Sequence, residues 1–396
     1  MVHSKRSESL AGDVAWALSS EIRQLNHGSF GGVPEYVAKI QNNLRSQMLA
    51  DPVTWFAGLP SRVANARVKI SRILGVDEED LVFVANASAG ASAVFDSFLG
   101  KEPVNVLVTN HGYGAVSMGA RRLAELTGGS FNVVSIPISF KQAEIQESVL
   151  TACDQYSPTI LVIDQITSAT AEYFPAEEIC VEARKRGIFT LVDGAHAPGI
   201  LANPVCREAD YWIGNFHKFA CAPPGCAVLV ARAGKERLYP VIDSWGTDLS
   251  FPQRFDHTGT MDVTSWLVAP IAWDYISREI GWSEIYRYSK NIADYGESRL
   301  REVLDPEGRF EGVGSPVSCM RILPLPEPLG RTRIEADSLR IPFIEKVRIA
   351  LSFTSFDGVG YLRFSTHAYT CKDDFDHLVS AGIPVLQQWA RAVHDN

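Results

Sequence analysis

The chain has 396 residues, 46% hydrophobic and 21% charged, which is the balance of a globular protein with a large core and room for two lobes. Forty-six acidic residues against 37 basic ones, a formal charge of −9, argue against a broad nucleic-acid surface, while a local basic pocket for an anion stays compatible. No apolar run approaches the ~20 residues of a membrane span. The start MVHSKRSESLAGD also lacks the apolar core of a signal peptide, so a cytoplasmic protein without membrane contact is expected. The seven cysteines are odd in number and show no CxxC spacing, so neither a disulfide frame nor a metal site is expected.

Residues 1–20 have little periodicity and read as a loosely held arm. The polar, glycine-rich loop LNHGSFGG (25–32) follows and closes at Pro34, which suits the first position of a helix running to about 48. A second helix spans 62–74 and stops at Gly75. Strand, loop and helix then alternate: LVFVA (81–85), the turn NASAGA, a helix over 92–99; VNVLVT (104–109), NHGYGA, a helix to about 126. FNVVSI and a helix over 142–156 come next, then TILVID (159–164), QITSAT and a helix over 176–186. This repetition predicts an α/β domain with a mainly parallel sheet flanked by helices, whose ligands bind outside the carboxyl ends of the strands.

After residue 230 the pattern changes. A polar loop (250–262) precedes helices over 263–280 and 282–303, and Pro and Gly clusters at 305–330 mark turns. VSCMRILPL, KVRIALSF and GYLRFST read as antiparallel strands, with a closing helix over 373–391. The expected division is an arm with a substrate loop (1–33), a large domain (34–280) and a smaller C-terminal α+β domain (281–396).

The chemistry concentrates in 189–230, where FTLVDGAHAPG is followed by DYWIGNFHKFACAPPGCAVLV. One apolar run stops at Asp193 and another leads to His217-Lys218. An acid at one strand end and a lysine beyond another suit pyridoxal phosphate (PLP), whose aldehyde takes an amine and whose ring nitrogen wants an anion. Lys218 would hold the aldehyde and move a proton at the substrate Cα, and Asp193 would pair with the ring nitrogen. His196 and Gln165 are the candidates for the 3-oxygen. NASAG, with Ala87 and Ser88 at a helix start, offers N–H groups to the phosphate, and Asn215 and His217 flank the lysine. Tyr113 or His111 would stack on the ring, with Tyr113 also a candidate acid for a leaving group. Arg363 would grip the substrate carboxylate with its two-pronged fork.

Together LNHGSFGG, NASAG, NHGYGA, DQITSAT, LVDGAHAPG, GNFHKFACAPPG, FDHTGTMD and YLRFSTHAY resemble a fold-type I PLP enzyme of aminotransferase class V, in the isopenicillin N epimerase-like branch. The resemblance implies the same roles at the matching positions, with Ala87, Ser88, Asn215 and His217 on the phosphate. It also implies a homodimer in which Gly259 and Thr260 reach the neighbouring subunit's phosphate, and Asn26 and His27 on the substrate side. Departures fall on the substrate side: Gln165 where the branch has His, His257 where it has Trp, Pro224 for a common Lys, and Trp245 for a frequent His. His257 is therefore a candidate substrate contact.

The resemblance implies a small amino-acid substrate and leaves three reactions open at Cα: β-elimination, epimerisation, or decarboxylation coupled to oxidative deamination. Similar lincosamide-pathway enzymes process S-glycosylated cysteine, which favours an S-substituted L-cysteine from natural-product biosynthesis. Epimerisation of the isopenicillin N type is the alternative. Cysteine desulfurase chemistry is disfavoured, because no cysteine lies in that family's catalytic loop; Cys371 is the nearest. A dinucleotide oxidoreductase lacks its GxGxxG, and a non-catalytic PLP-binding protein sits poorly with an intact Lys218.

Overall fold

The computed structural model describes residues 9–100, 102–257 and 259–394. The large lobe is built on a seven-stranded sheet in the order β2-β8-β7-β6-β5-β3-β4. Its strands are β2 (Leu81–Val84), β3 (Val106–Thr109), β4 (Phe131–Val134), β5 (Ile160–Asp164), β6 (Phe189–Asp193), β7 (Tyr211–Asn215) and β8 (Ala227–Ala231). Only β8 runs antiparallel, to β2 and β7 alike. Strands buried from end to end, such as ILVID and YWIGN, need cover on both faces. Helices α4 (Ala87–Asp96) and α5 (Gly114–Thr127) cover one face. The other is packed by α1 (Glu35–Ala50), α2 (Pro52–Ala57), α3 (Leu59–Leu74), α6 (Gln142–Tyr156), α7 (Ala176–Lys185) and α8 (Thr264–Glu279). This is the α/β architecture expected.

Helix α4 starts five residues earlier than the apolar spacing suggests, at Ala87 rather than 92. Asn86 caps it, its side chain accepting the Ala89 N–H at 2.9 Å, so NASAG forms the first helical turn itself.

The small lobe carries a three-stranded antiparallel sheet in the order β11 (Ser352–Phe356), β12 (Val359–Ser365), β9 (Met320–Pro324). Helices α9 (Trp282–Leu304), α10 (Arg333–Val347), α11 (Lys372–His377) and α12 (Ile383–His394) pack on it, the last two joined by a π turn over Leu378–Gly382. Helix α10 is absent from the sequence reading. Pro342 lies inside it, and Ile334 and Ile341 are exposed, so no single apolar stripe marks it. The Thr332–Glu335 capping box was its one legible signal.

The N-terminal segment is fastened where a loose arm was expected. The Ala11 N–H donates to Ala368 O at 2.9 Å, and Trp16 bridges to Pro34. Strand β1 (Arg23–Gln24) pairs in parallel with β10 (Ile349–Ala350), and Leu25 is fully buried in the small-lobe core. Residues 1–8 of the arm lie outside those described. No helix among the described residues is long and apolar enough to cross a membrane.

Candidate active site

Strand parity builds the acidic half of the site. In the β5–β6 register Asp164 stands beside Asp193, so both side chains point to the face covered by α4 and α5. Both are at most 3% exposed. Asp193 Oδ1 accepts the Ala195 N–H at 3.0 Å, while its Oδ2 is buried without a hydrogen-bond partner. Asp164 accepts the Tyr113 N–H. Burial raises both carboxyls, Asp164 the more because Asp193 stands next to it. Sequence reasoning passed over Asp164; its signal was a second apolar strand ending in Asp, like FTLVD.

The lysine turn leaves β7 at Asn215, whose side-chain oxygen accepts the Ala87 N–H at 2.9 Å and ties α4 to the strand end. His217 Nδ1 lies 2.8 Å from Cys226 O. Lys218 Nζ reaches to 3.1 Å from His196 Nε2, which is also 3.1 Å from Gly28 O. Burial pushes Lys218 down to about 8, against the opposing pull of Asp193. Burial and the Lys218 charge hold His196 well below the ordinary imidazole range, so it is neutral at pH 7.

The LNHGSFGG loop clasps this turn from behind. The Gly31 N–H donates to His217 O at 3.2 Å, and His27 Nε2 lies 3.2 Å from Lys218 O. His27 is 1% exposed, stacked on His367 at 4.0 Å and 2.7 Å from the Tyr369 hydroxyl. It therefore supports the lysine backbone, whereas the resemblance implied a place on the substrate side. His27, Cys221 and His367 place donor atoms within 4.8 Å of one another. The two rings are parallel to within 5°, however, and their lone pairs do not converge on one ion.

Two further assignments change. Gln165 follows Asp164, so the alternation sends it to the opposite face, where its amide oxygen accepts the Trp212 N–H at 3.0 Å. It faces away from the acids, unlike the role beside them expected from the sequence. His111 is 2% exposed, with Nδ1 2.8 Å from Thr170 Oγ1 and Nε2 2.9 Å from Ile136 O, and is packed on Phe356 and Phe174. A ring so enclosed is not the one that stacks on a cofactor. Tyr113, 43% exposed just before α5, stays open.

Arg363 is 3% exposed. It donates through Nη2 to Ser29 Oγ at 2.7 Å and through Nη1 to the Ser168 hydroxyl at 3.3 Å and the Ser168 carbonyl. Its Nε is buried without a partner, and burial together with the Arg340 charge pushes it down to about 10. Asn26 bridges to Ser365 on the same strand, with its side-chain oxygen buried and unpartnered. Ser88 sits half-buried in the first turn of α4. His257 packs against Gly246, and Gly259 and Thr260 are exposed; none of these three hydrogen-bonds the Lys218–Asp193 group among the described residues. Thr258 of FDHTGTMD lies outside them.

Glu172, fully buried next to His111, whose Nδ1 lies 3.9 Å from its Oε2, has no hydrogen bond to either carboxyl oxygen, and burial pushes it up to about 8. Its folded value lies above its unfolded one, so its contribution to stability is complete below about pH 4.5 and is lost as pH rises toward 8. Glu172→Gln should flatten that decline, gaining roughly 1–3 kcal/mol at pH 8 relative to pH 5. Denaturant titrations at the two pH values check this, and parallel pH profiles for both proteins refute it.

A buried acid with an open oxygen, a lysine held short of its ordinary pKa and a helix N-terminus meet at the carboxyl ends of a mainly parallel sheet. That combination fits PLP and defines a PLP-dependent enzyme of fold type I. The chain belongs to the aminotransferase class-V family, whose model matches residues 53–309, and PLP is its cofactor. It is 27% identical to isopenicillin N epimerase of Streptomyces clavuligerus, over 92% of this chain and 95% of that protein. It is 26% identical to the L-cysteine desulfhydrase-like protein lolT1 of Epichloe uncinata, over 76% and 74% of the two chains. Hercynylcysteine sulfoxide lyase of Schizosaccharomyces pombe matches at 24% identity over 81% and 83%. Among solved structures, the complex of the cystine C–S lyase C-DES with cysteine persulfide superposes with a TM-score of 0.77 at 16% identity, covering 91% of this chain and 97% of that one. That similarity concerns the fold.

Proposed function

We propose that the enzyme cleaves the C–S bond of an S-substituted L-cysteine by β-elimination. The observation that carries this reading is that one amine base, Lys218, faces the acid pair, while His27 lies behind the lysine. Epimerisation by two groups needs a second one across Cα, and His27 does not supply it. Elimination needs one base and one acid at the leaving sulfur, the position open to Tyr113.

When bound, PLP supplies an electron sink for the pair released at Cα. Asp193 Oδ2, buried without a partner, would accept the ring N–H and favour the protonated nitrogen. Ser88 in the first turn of α4 would hold the phosphate with His217 beside it, while Asn215 accepts the Ala87 N–H and so fixes that turn to the strand end. His196 holds Lys218 Nζ in place as a neutral neighbour. Lys218 removes the Cα proton, the C–S bond breaks with its electrons leaving on sulfur, and the Tyr113 hydroxyl protonates the departing thiolate. Hydrolysis of the remaining three-carbon unit gives pyruvate and ammonia. Arg363 turns from Ser29 to hold the substrate carboxylate, with Asn26 beside it, and His257 borders the substrate from the loop over 250–262. The protein acts in the cytoplasm as a homodimer whose Gly259 and Thr260 complete the partner's phosphate site. Helping this pairing is the exposed apolar segment around Val241, Ile242 and Trp245.

Arg363→Gln should raise KM for substrates with a free carboxylate about 10- to 100-fold and affect carboxylate-free amines far less. Equal losses on both would make Arg363 structural. The function itself is tested by product analysis on S-substituted cysteines. Equimolar thiol, pyruvate and ammonia support elimination. An aldehyde with carbon dioxide and oxygen uptake marks oxidative decarboxylation, and a D-configured product marks an epimerase; either one overturns it. Epimerisation is the second reading, because isopenicillin N epimerases are among the relatives that match along nearly the whole chain.

A further inference from the structure

We propose that Arg340 and Arg333 form a second anion subsite, so that the enzyme takes substrates bearing a negatively charged group at the end remote from the α-carboxylate. This rests on the PLP reading above and specifies the substrate class. Both residues lie on α10, with Asp337 between them: Arg340 Nη2 is 2.8 Å and Arg333 Nε 3.5 Å from that one carboxylate. Spacings of three and four put all three on one helix face, and one carboxylate between two guanidinium groups leaves a net positive charge.

This face is turned toward the site. Arg340 Nη2 also donates to Phe353 O at 3.4 Å, and the residue before Phe353, Ser352, pairs across the sheet with Arg363. The Arg340 charge acts on Arg363. At the other end, Arg333 Nη1 lies 3.1 Å from where a Cβ on Gly114 would stand, next to Tyr113. The two arginines thus extend from Arg363 to the tyrosine assigned to the leaving group.

Orphaned donors point to a ligand. Nε of Arg340 and Nε of Arg363 are both buried without a hydrogen-bond partner. Unpaired buried donors on neighbouring cations are unfavourable twice over, through lost solvation and through repulsion, and anions relieve both. Arg333 and Arg340 share the single carboxylate of Asp337, and Arg363 hydrogen-bonds only the neutral groups of Ser29 and Ser168, so the three cations are under-neutralised. A substrate with the α-carboxylate on Arg363 and a carboxylate, sulfonate or phosphate on Arg340 and Arg333 answers each of these features.

The test uses PLP-loaded enzyme and two probes of equal length, S-(2-carboxyethyl)-L-cysteine and S-propyl-L-cysteine. Dissociation constants are read by rapid mixing, from the amplitude of the first change each produces in the visible absorption of the bound cofactor, before turnover consumes the probe. The wild type should favour the carboxylate probe by about tenfold or more, the scale of one charge-assisted contact. Arg340→Gln should bring that ratio close to one, Arg333→Gln should lower it in part, and Arg340→Lys should restore part of it. Equal affinity of the wild type for the two probes overturns the proposal, as does an Arg340→Gln loss shared equally by both. An enzyme without a visible cofactor band would instead refute the PLP reading, and the subsite with it. The wild-type comparison holds even where a variant fails to fold.

Discussion

Lys218→Ala should abolish the visible absorption band and the borohydride-trapped adduct, and should lower turnover roughly 10³-fold or more. The expectation rests on the amine's position and state. Lys218 Nζ lies 3.1 Å from a neutral His196, beside two buried carboxyls, and burial brings it down to about 8. A lysine lowered to about 8 has a far larger unprotonated fraction at neutral pH than an ordinary lysine, able to join an aldehyde and then accept a proton. The variant should still bind PLP, because the phosphate and ring-nitrogen contacts come from other residues. A Lys218→Ala protein that keeps the band and the trapped adduct would show that another amine carries the cofactor.

Gly31→Ala should destabilise the protein by about 3 kcal/mol or more and weaken PLP retention at least tenfold. A Cβ at Gly31 would stand 2.2 Å from Lys218 O, 2.8 Å from Lys218 C and 2.9 Å from His217 O, all backbone atoms with no flexible end to give way. The only relief is to move the glycine-rich loop or the turn, and the turn carries both His217 and Lys218. Thermal melting with PLP titration measures the two effects together. Wild-type melting and retention would mean that the clasp is looser than these contacts require. Gly28→Ala, whose nearest neighbours are a ring edge at 3.2 Å and a hydroxyl at 3.3 Å, should be milder.

Much of the site was legible because it lies in continuous motifs at strand ends. Asp193, His196, Asn215, His217 and Lys218 sit within 26 residues of chain, and an apolar run followed by a small-residue turn marks each strand end in one dimension. What failed was facing. Gln165 and Asp164 are neighbours in sequence, and only the register with β6 shows that the acid, not the amide, joins Asp193. His27 lies in a loop that could pass on either side of the lysine, and its stacking on His367 decides for the side behind it. His111 and Tyr113 share one loop, yet one is enclosed by Phe356 and Phe174 and the other is open.

The amino-acid sequence by itself determined the α/β class, the strand-end location of the site, the lysine–acid pair and hence the cofactor. Periodicity and motif spacing are local properties, and the chemistry of PLP asks for particular side chains that a linear pattern can carry. The tertiary structure alone decided which acids share a face, that the LNHGSFGG loop is a clasp, and that α10 brings Arg340 toward Arg363 and Arg333 toward Gly114. These depend on register and on contacts between residues hundreds of positions apart, as between Ser29 and Arg363, whose distance no local preference encodes.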